Sequence, residues 1–222
     1  ENTFKHYYIG KLEVPALRGI SISIEAGDFA TIAGPSGSGK TTMLNLFGCL
    51  DKPSDGKVFI NSEDVSDMSA NKLADVRNYN IGFIFQTFNL IPVLTAFENV
   101  EFPLILHKNI NAQERKEMIM NLLTEVGIAE LAHRKPNEMS GGQQQRVAIA
   151  RALVKKPKVV LADEPTANLD SKTGEDILKL MKNLNQKNKT VFVFSTHDPM
   201  VMKYAERLIA IHDGQIQSDK RV

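Results

Sequence analysis

Residues 34–41 read Gly-Pro-Ser-Gly-Ser-Gly-Lys-Thr and match the pattern G-x-x-x-x-G-K-[ST] at every position. An apolar run precedes this loop and a helical pattern follows it. Glycines let the backbone curl so that successive N–H groups point at phosphate oxygens, and the helix N-terminus adds positive charge. The stretch predicts a strand–loop–helix nucleotide site. The residues expected to contact the nucleotide are Gly34, Pro35, Ser36, Gly37, Ser38, Gly39, Lys40, Thr41 and Thr42.

Two side chains of this loop have specific tasks. We expect Lys40 to reach the β- and γ-phosphates, and the Thr41 hydroxyl to ligate Mg²⁺. A glycine-rich turn that happens to precede a lysine is the alternative, and the strand–loop–helix context argues against it. On its own the motif predicts a nucleotide-binding protein and no particular reaction.

A second apolar run, residues 159–162, ends in two adjacent carboxylates, Asp163 and Glu164. A buried strand that ends in Asp delivers a carboxylate to the carboxyl edge of a parallel sheet, where the phosphate loop also lies. We expect Asp163 to contact Mg²⁺ indirectly, through a bound water or through one of the ion's own ligands. Glu164, one residue further on, is the candidate general base that polarises the attacking water. A plain acidic turn would be the better interpretation only without the phosphate loop.

Apolar runs separated by helical patterns indicate an α/β fold. Residues 159–162, 191–194 and 208–211 are continuous and apolar, as strands of a parallel sheet covered on both faces require. Residues 20–25 alternate between isoleucine and polar residues, which predicts a half-buried strand. Between residues 95 and 155 the pattern is mainly helical.

Composition excludes several function classes. The 27 basic and 26 acidic residues give a net charge of +1, so nothing supports a nucleic-acid partner. Cys49 is the only cysteine, which excludes an internal disulfide and a cysteine-rich zinc site and is most simply a small core residue. No stretch approaches the ~20 apolar residues of a membrane-spanning helix, so any work at a membrane is expected from the cytoplasmic side through a partner.

Residues 139–146 read Met-Ser-Gly-Gly-Gln-Gln-Gln-Arg. Ser140 and Gln143 have the spacing of a capping box, which predicts that Ser140 begins a helix running to about residue 155. The N-terminus of such a helix favours an anion, yet no phosphate of its own subunit is expected there. An ordinary capped helix is the alternative, and the place of the motif between the phosphate loop and the acidic strand end argues against it.

With these motifs in this order, the sequence resembles the ATP-binding-cassette (ABC) family, whose signature is usually Leu-Ser-Gly-Gly-Gln. Met139 is a volume-conserving departure from that pattern. The resemblance covers nearly the whole chain and implies one nucleotide-binding domain over residues 1–222. Its P-loop NTPase core, with a mainly parallel sheet, and an N-terminal antiparallel β-subdomain would occupy about 1–94 and 156–222. An inserted α-helical subdomain would occupy about 95–155.

The resemblance also implies an ATPase that works with ATP and Mg²⁺ as a head-to-tail homodimer. Gln86 is similar to the glutamine that touches Mg²⁺ or the attacking water, and His197 to the switch histidine near the γ-phosphate. Asn168 and Asp170 resemble a loop that crosses the dimer interface, although Asp170 has an equally good role as a helix cap. The residues expected to contact the ATP of the other subunit are Ser140, Gly141, Gly142 and Gln143.

An aromatic residue near the start is expected to stack on adenine. Tyr7 occupies the matching position, with Tyr8 adjacent and Phe4 close by as alternatives. Val14 is expected to line the base pocket as well.

Finer resemblance indicates one branch of the family. Residues 44–51, 85–92 and 98–104 resemble the macrolide-exporter and lipoprotein-release group, with the cell-division cassette as a close cousin. This implies a four-helix integral membrane permease with an extracytoplasmic domain as the partner, contacted through about residues 87–104. The chain would lie on the cytoplasmic face of the plasma membrane, held there by its membrane subunits.

Two functions stay open on this evidence. The first is the ATPase subunit of a transporter that exports or extracts lipophilic cargo, such as a lipoprotein, peptide or antibiotic. The second is a mechanotransmission ATPase that regulates an extracytoplasmic cell-wall enzyme or sensor. DNA-repair cassettes would carry a long coiled coil before the signature, and translation cassettes two cassettes in one chain; neither pattern is present.

Overall fold

A computed structural model describes residues 1–107 and 109–222. The strands are β1 Thr3–Ile9, β2 Leu12–Ile20, β3 Phe29–Ala33, β4 Phe59–Ile60, β5 Glu63–Asp64, β6 Ile81–Ile84, β7 Val159–Asp163, β8 Val191–Thr196, β9 Arg207–His212 and β10 Gln215–Arg221. The α-helices are α1 Lys40–Phe47, α2 Ala70–Asn80, α3 Ala96–Glu101, α4 Ala112–Glu125, α5 Gly141–Leu153, α6 Ser171–Asn188 and α7 Pro199–Tyr204. Short 3₁₀ turns lie at Phe102–Leu106, Ala129–Leu131 and Pro136–Glu138.

The main sheet has six strands in the order β10-β9-β3-β8-β7-β6. Five of these strands pair in parallel, and β10 adds antiparallel to β9 at one edge. Every residue of β3 and of β8 is buried, which explains why both strands are mainly apolar. The predicted α/β fold with a mainly parallel sheet is confirmed.

The N-terminal antiparallel sheet consists of β1 and β2, which pair so that Tyr7 lies opposite Val14. The predicted strand over residues 20–25 is wrong, since β2 ends at Ile20 and residues 21–25 belong to no strand. Ile22 and Ile24 are half-buried and pack against the core, while the residues between them are exposed. The alternation therefore reflects which side chains are buried, and it does not require that the backbone is hydrogen-bonded in a sheet.

Two apolar cores cover the two faces of the main sheet. One contains Phe29, Phe192 and Phe194, with ring centroids 4.7–6.2 Å apart, and runs on into the helices between β6 and β7. The other lies under α1 and includes Cys49, which is buried as expected. The boundaries placed near residues 94 and 156 stay predictions, because this first core is shared across them.

The helix that follows the signature residues begins as predicted. Ser140 is the N-cap of α5, its hydroxyl accepts from the Gln143 N–H at 3.3 Å, and the Gln143 side chain accepts from the Ser140 N–H at 2.9 Å. This reciprocal pairing satisfies N–H groups at the helix start. Among the described residues, no helix has the length and apolarity to cross a membrane.

Candidate nucleotide site

The phosphate loop joins the end of β3 to the start of α1. Gly37 and Gly39 have φ of 79° and 106°, a backbone conformation that side-chain-bearing residues rarely adopt. A Cβ on Gly34 would lie 2.2 Å from the Ile211 carbonyl oxygen, so only glycine fits there. The loop is thus shaped by its glycines, and α1 begins at Lys40 immediately behind it.

Lys40 lies folded against its own loop. Its Nζ donates to the carbonyl oxygens of Gly34 at 2.7 Å and Pro35 at 2.8 Å, and no carboxylate neutralises it among the described residues. The Ser38 hydroxyl is buried and makes no hydrogen bond to the described residues. A cation held only by carbonyls and a buried free hydroxyl are a donor set that suits the phosphates of a nucleotide.

Asp163 ends β7 beside the phosphate loop. Burial raises the pKa of its carboxyl, and the negative charge of neighbouring Glu164 adds to the rise. The described residues contain no group of three or more His, Cys, Asp or Glu side chains that could hold a metal ion. Mg²⁺ is commonly held by one or two carboxylates together with substrate phosphates, so Asp163 with the Thr41 hydroxyl fits this ion.

Glu164 has an unusual backbone and a fully occupied carboxylate. Its φ is 44°, in the left-handed region, and its N–H donates to the Ser195 carbonyl at 2.9 Å. One carboxylate oxygen accepts from the Thr196 hydroxyl at 2.6 Å, and the other lies 2.6 Å from Nδ1 of His197. The structure therefore brings the candidate base and the candidate switch histidine together, since β7 and β8 are neighbours.

Gln86 lies just after β6 and is exposed, as its predicted role requires. Its carbonyl oxygen accepts from the Asn168 side-chain amide at 2.9 Å. Asp170 is the N-cap of α6 and accepts from the Thr173 N–H at 3.0 Å and hydroxyl at 2.6 Å. The helix-cap interpretation of Asp170 is thereby confirmed, and its interface role stays a prediction.

The start of α5 lies apart from the phosphate loop in the hydrogen-bond network. Among the described residues, no hydrogen bond joins residues 140–143 to residues 34–42. Gly142 instead faces α6, where an added Cβ would lie 2.5 Å from Thr173 Cγ2. The structure thus brings the acidic strand end close to Lys40 and to the histidine, while no hydrogen bond among the described residues joins the signature residues to the phosphate loop.

Tyr7 is 37% exposed on β1, and its hydroxyl donates to Asp51 at 3.0 Å. Tyr8 is 70% exposed, so a second aromatic surface is available next to it. The choice of the adenine-stacking residue stays a prediction for Tyr7, with Val14 opposite it in the sheet.

Two polar residues of α5 that our sequence analysis did not identify join this helix to the site. Gln145 is fully buried, and its Nε2 donates to the Pro165 carbonyl at 2.7 Å. Arg151 donates to the Phe88 carbonyl at 2.7 Å and to that of Asn89, and burial lowers the pKa of its guanidinium. The only signal for Gln145 was a polar residue on the buried face of an amphipathic helix.

Comparison with known proteins agrees with this geometry. The family model described as ABC transporter matches residues 17–167, which include the phosphate loop, the signature and the acidic strand end. The chain belongs to the ABC transporter family. It is an ATPase subunit of that family, for which ATP and Mg²⁺ are the standard cofactors.

Several individual ABC proteins resemble this cassette over its full length. An uncharacterized ABC transporter ATP-binding protein of Thermotoga maritima is 49% identical over 99% of this chain and 93% of its own. The cassette MJ0796 of Methanocaldococcus jannaschii, solved as a post-hydrolysis dimer bound to ADP and Pi, superposes with a TM-score of 0.90. That match has 46% identity and covers 100% of this chain and 97% of the other.

Relatives with a longer chain are also similar. The macrolide export ATP-binding/permease protein MacB of Bdellovibrio bacteriovorus is 48% identical over 98% of this cassette, which spans 33% of the MacB length.

Proposed function

We propose that this cassette hydrolyses ATP as a head-to-tail homodimer in which each subunit completes the site of the other. The observation that carries the proposal is the start of α5, where Ser140 caps a helix that, in the described part of the chain, makes no hydrogen bond to the phosphate loop. A helix N-terminus is a ready anion site. The dimeric state of the similar cassette MJ0796 supports this arrangement.

The contacts support the following roles within one subunit. The phosphate loop, with Lys40, would hold the nucleotide, and Thr41 would hold Mg²⁺ together with Asp163 and Gln86. Glu164 accepts the proton of the attacking water, and His197 fixes the carboxylate through its 2.6 Å contact. Catalysis is then mainly positioning and electrostatic stabilisation of a loose phosphoryl transition state.

The membrane partner is a four-helix permease with an extracytoplasmic domain, contacted through about residues 87–104. Exposed apolar side chains in and beside this segment support the contact: Val93 is 70% exposed, Phe102 52%, Ile105 56% and Leu106 68%. Such a patch on a globular domain is typical of an interaction site. The cassette would thus sit at the cytoplasmic face of the plasma membrane as a peripheral subunit.

The proposed task is ATP-driven export or extraction of lipophilic cargo. The similarity to several proteins named as macrolide exporters favours this task over the mechanotransmission alternative.

Glu164→Gln tests the proposal directly. Loss of the base should lower ATP turnover by ~100-fold or more while nucleotide binding is kept. Without hydrolysis, the ATP-bound dimer should persist and elute as a dimer in gel filtration with Mg-ATP. The matched control Glu130→Gln changes an exposed carboxylate and should behave as the wild type. Retained turnover in Glu164→Gln would contradict the base assignment, and a purely monomeric elution would contradict the dimer.

A further inference from the structure

One polar side chain in the core of the molecule has no explanation in the roles above. Gln145 lies on the second turn of α5 and is 0% exposed. Its amide nitrogen donates to the Pro165 carbonyl at 2.7 Å, while its Oε1 is buried and accepts no hydrogen bond from the described residues. A buried polar group that is only half satisfied is costly, so its presence calls for a role.

The partner of Gln145 lies next to the candidate base. Pro165 directly follows Glu164, whose left-handed φ of 44° makes this turn a conformation that a glutamate rarely adopts. On one side the turn is fixed by the Glu164 N–H, which donates to the Ser195 carbonyl of β8 at 2.9 Å. On the other side, the hydrogen bond from Gln145 fixes the carbonyl of Pro165. The turn is therefore held between β8 and α5.

Gln145 lies on α5, the helix that Ser140 caps, so a movement of the Ser140 end of this helix can reach the hydrogen bond between Gln145 and Pro165. In the dimer proposed above, on which this inference rests, Ser140 meets the ATP of the other subunit. The rigid first turns of α5 would carry any shift of that helix end directly to the Pro165 carbonyl.

We infer that Gln145 is a positioning residue that sets the carboxylate of Glu164 in its own subunit. Through this contact, the ATP bound by the partner subunit, which meets the signature residues of this subunit, is linked to the base that acts on this subunit's own ATP. The two sites of a dimer are then coupled through one buried amide in each subunit. The alternative is that Gln145 only supports the signature helix. That alternative predicts that loss of Gln145 slows ATP hydrolysis in the site of the partner subunit and not in its own. An experiment that measures one site at a time can therefore distinguish the two explanations.

Mixed dimers provide the separation. A reporter subunit with intact Glu164 is mixed, without nucleotide, with a large excess of a silent partner that carries Glu164→Gln. Mg-ATP is then added and the phosphate released in the first turnover is measured per reporter subunit. Nearly all of this phosphate comes from the reporter's own site, which uses the reporter's Glu164 and the partner's signature.

Gln145→Met is placed first in the reporter and then in the silent partner. Methionine keeps the length of the side chain and removes the donor. We expect the first placement to slow phosphate release about tenfold or more, because small misplacements of a reacting group have large effects on rate. The second placement should change it less than about twofold. Loss only in the second placement, or loss in neither, overturns the inference.

Gln144→Met is the matched control, since Gln144 also donates to a main-chain carbonyl, that of Met139 at 3.1 Å, but not to the Glu164 turn. In the reporter it should leave phosphate release nearly unchanged; an equal loss there would also overturn the inference. If the wild-type reporter itself releases no phosphate beside the silent partner, the proposed function fails, and not the role of Gln145.

Gln145→Glu serves if the methionine variant does not fold. A buried carboxyl has a raised pKa, and its protonated form regains a donor for the Pro165 carbonyl. The activity of this variant relative to wild type should rise as the pH is lowered. A ratio that does not change with pH would argue against the hydrogen bond as the acting element.

Discussion

The phosphate-loop region and the signature end of α5 are both candidate anion sites at helix N-termini, and they differ in what surrounds them. At the phosphate loop, Lys40 begins α1 directly behind β3, and Asp163 and Glu164 lie at the end of β7, two strands away in the same sheet. At the start of α5, Ser140 is satisfied by Gln143 within its own first turn.

The difference agrees with the proposal that each chain supplies two halves of a shared site. The first candidate half has charged side chains and the candidate base, and the second has a capped helix end with two glycines. A chain of this kind is expected to be complete only in pairs, and the following experiments test that expectation in order of expected effect.

The largest effect is expected from complementation. Lys40→Ala removes the phosphate-binding cation, and Ser140→Arg blocks the signature end, so each variant alone should lose at least ~100-fold of its ATPase activity. Mixed in equal amounts, they should recover up to about a quarter of wild-type activity, because half of random dimers have one intact site of two. No recovery on mixing would mean that each site lies within one chain, and that the phosphate loop and the signature end do not complete each other between subunits.

A smaller effect separates the cap from the anion site. Ser140→Ala should lower the free energy of unfolding by about 1 kcal/mol, as the loss of an N-cap usually does. Ser69→Ala is the matched control, since Ser69 caps α2 by accepting from the Lys72 N–H. Both should lose similar stability in denaturant titrations, and only Ser140→Ala should also weaken ATP-dependent dimer formation. If ATP-dependent dimer formation were the same in the two variants, Ser140 would act only as a helix cap.

The smallest effect concerns the strand-end carboxylate. Because burial raises the pKa of Asp163, its charged form destabilises the nucleotide-free protein at neutral pH. Asp163→Asn should therefore raise the melting temperature by about 2 °C at pH 7. The gain should shrink as the pH falls through the raised pKa, since the wild-type carboxyl is then neutral as well. A lower melting temperature at pH 7 would show that the carboxylate is stabilised by its surroundings.

Much of this structure was predictable because its signals are local. The phosphate loop, the Ser140 cap and the apolar strands β7 and β8 depend on residue types at fixed short spacings, and these predictions are confirmed. The strand predicted over residues 20–25 was wrong because alternating burial does not require a ladder partner.

Long-range contacts had no comparable signal. The 2.6 Å contact between Glu164 and His197 depends on β7 and β8 being adjacent, and our sequence analysis predicted no order for the strands. The hydrogen bonds of Gln145 and Arg151 join residues about 20 and 60 positions apart, and both end on main-chain carbonyls. A carbonyl is present at every residue, so no residue type marks the partner.

The hydrogen bonds of Arg151 to the segment after β6 affect how freely the side chains of that segment can be changed. Its guanidinium binds the main-chain carbonyls of Phe88 and Asn89, at the start of the segment proposed to face the permease. A link made to the backbone survives substitution of the side chains around it. Substitutions in this segment can therefore alter the surface proposed for the permease while the link between that surface and α5 is kept.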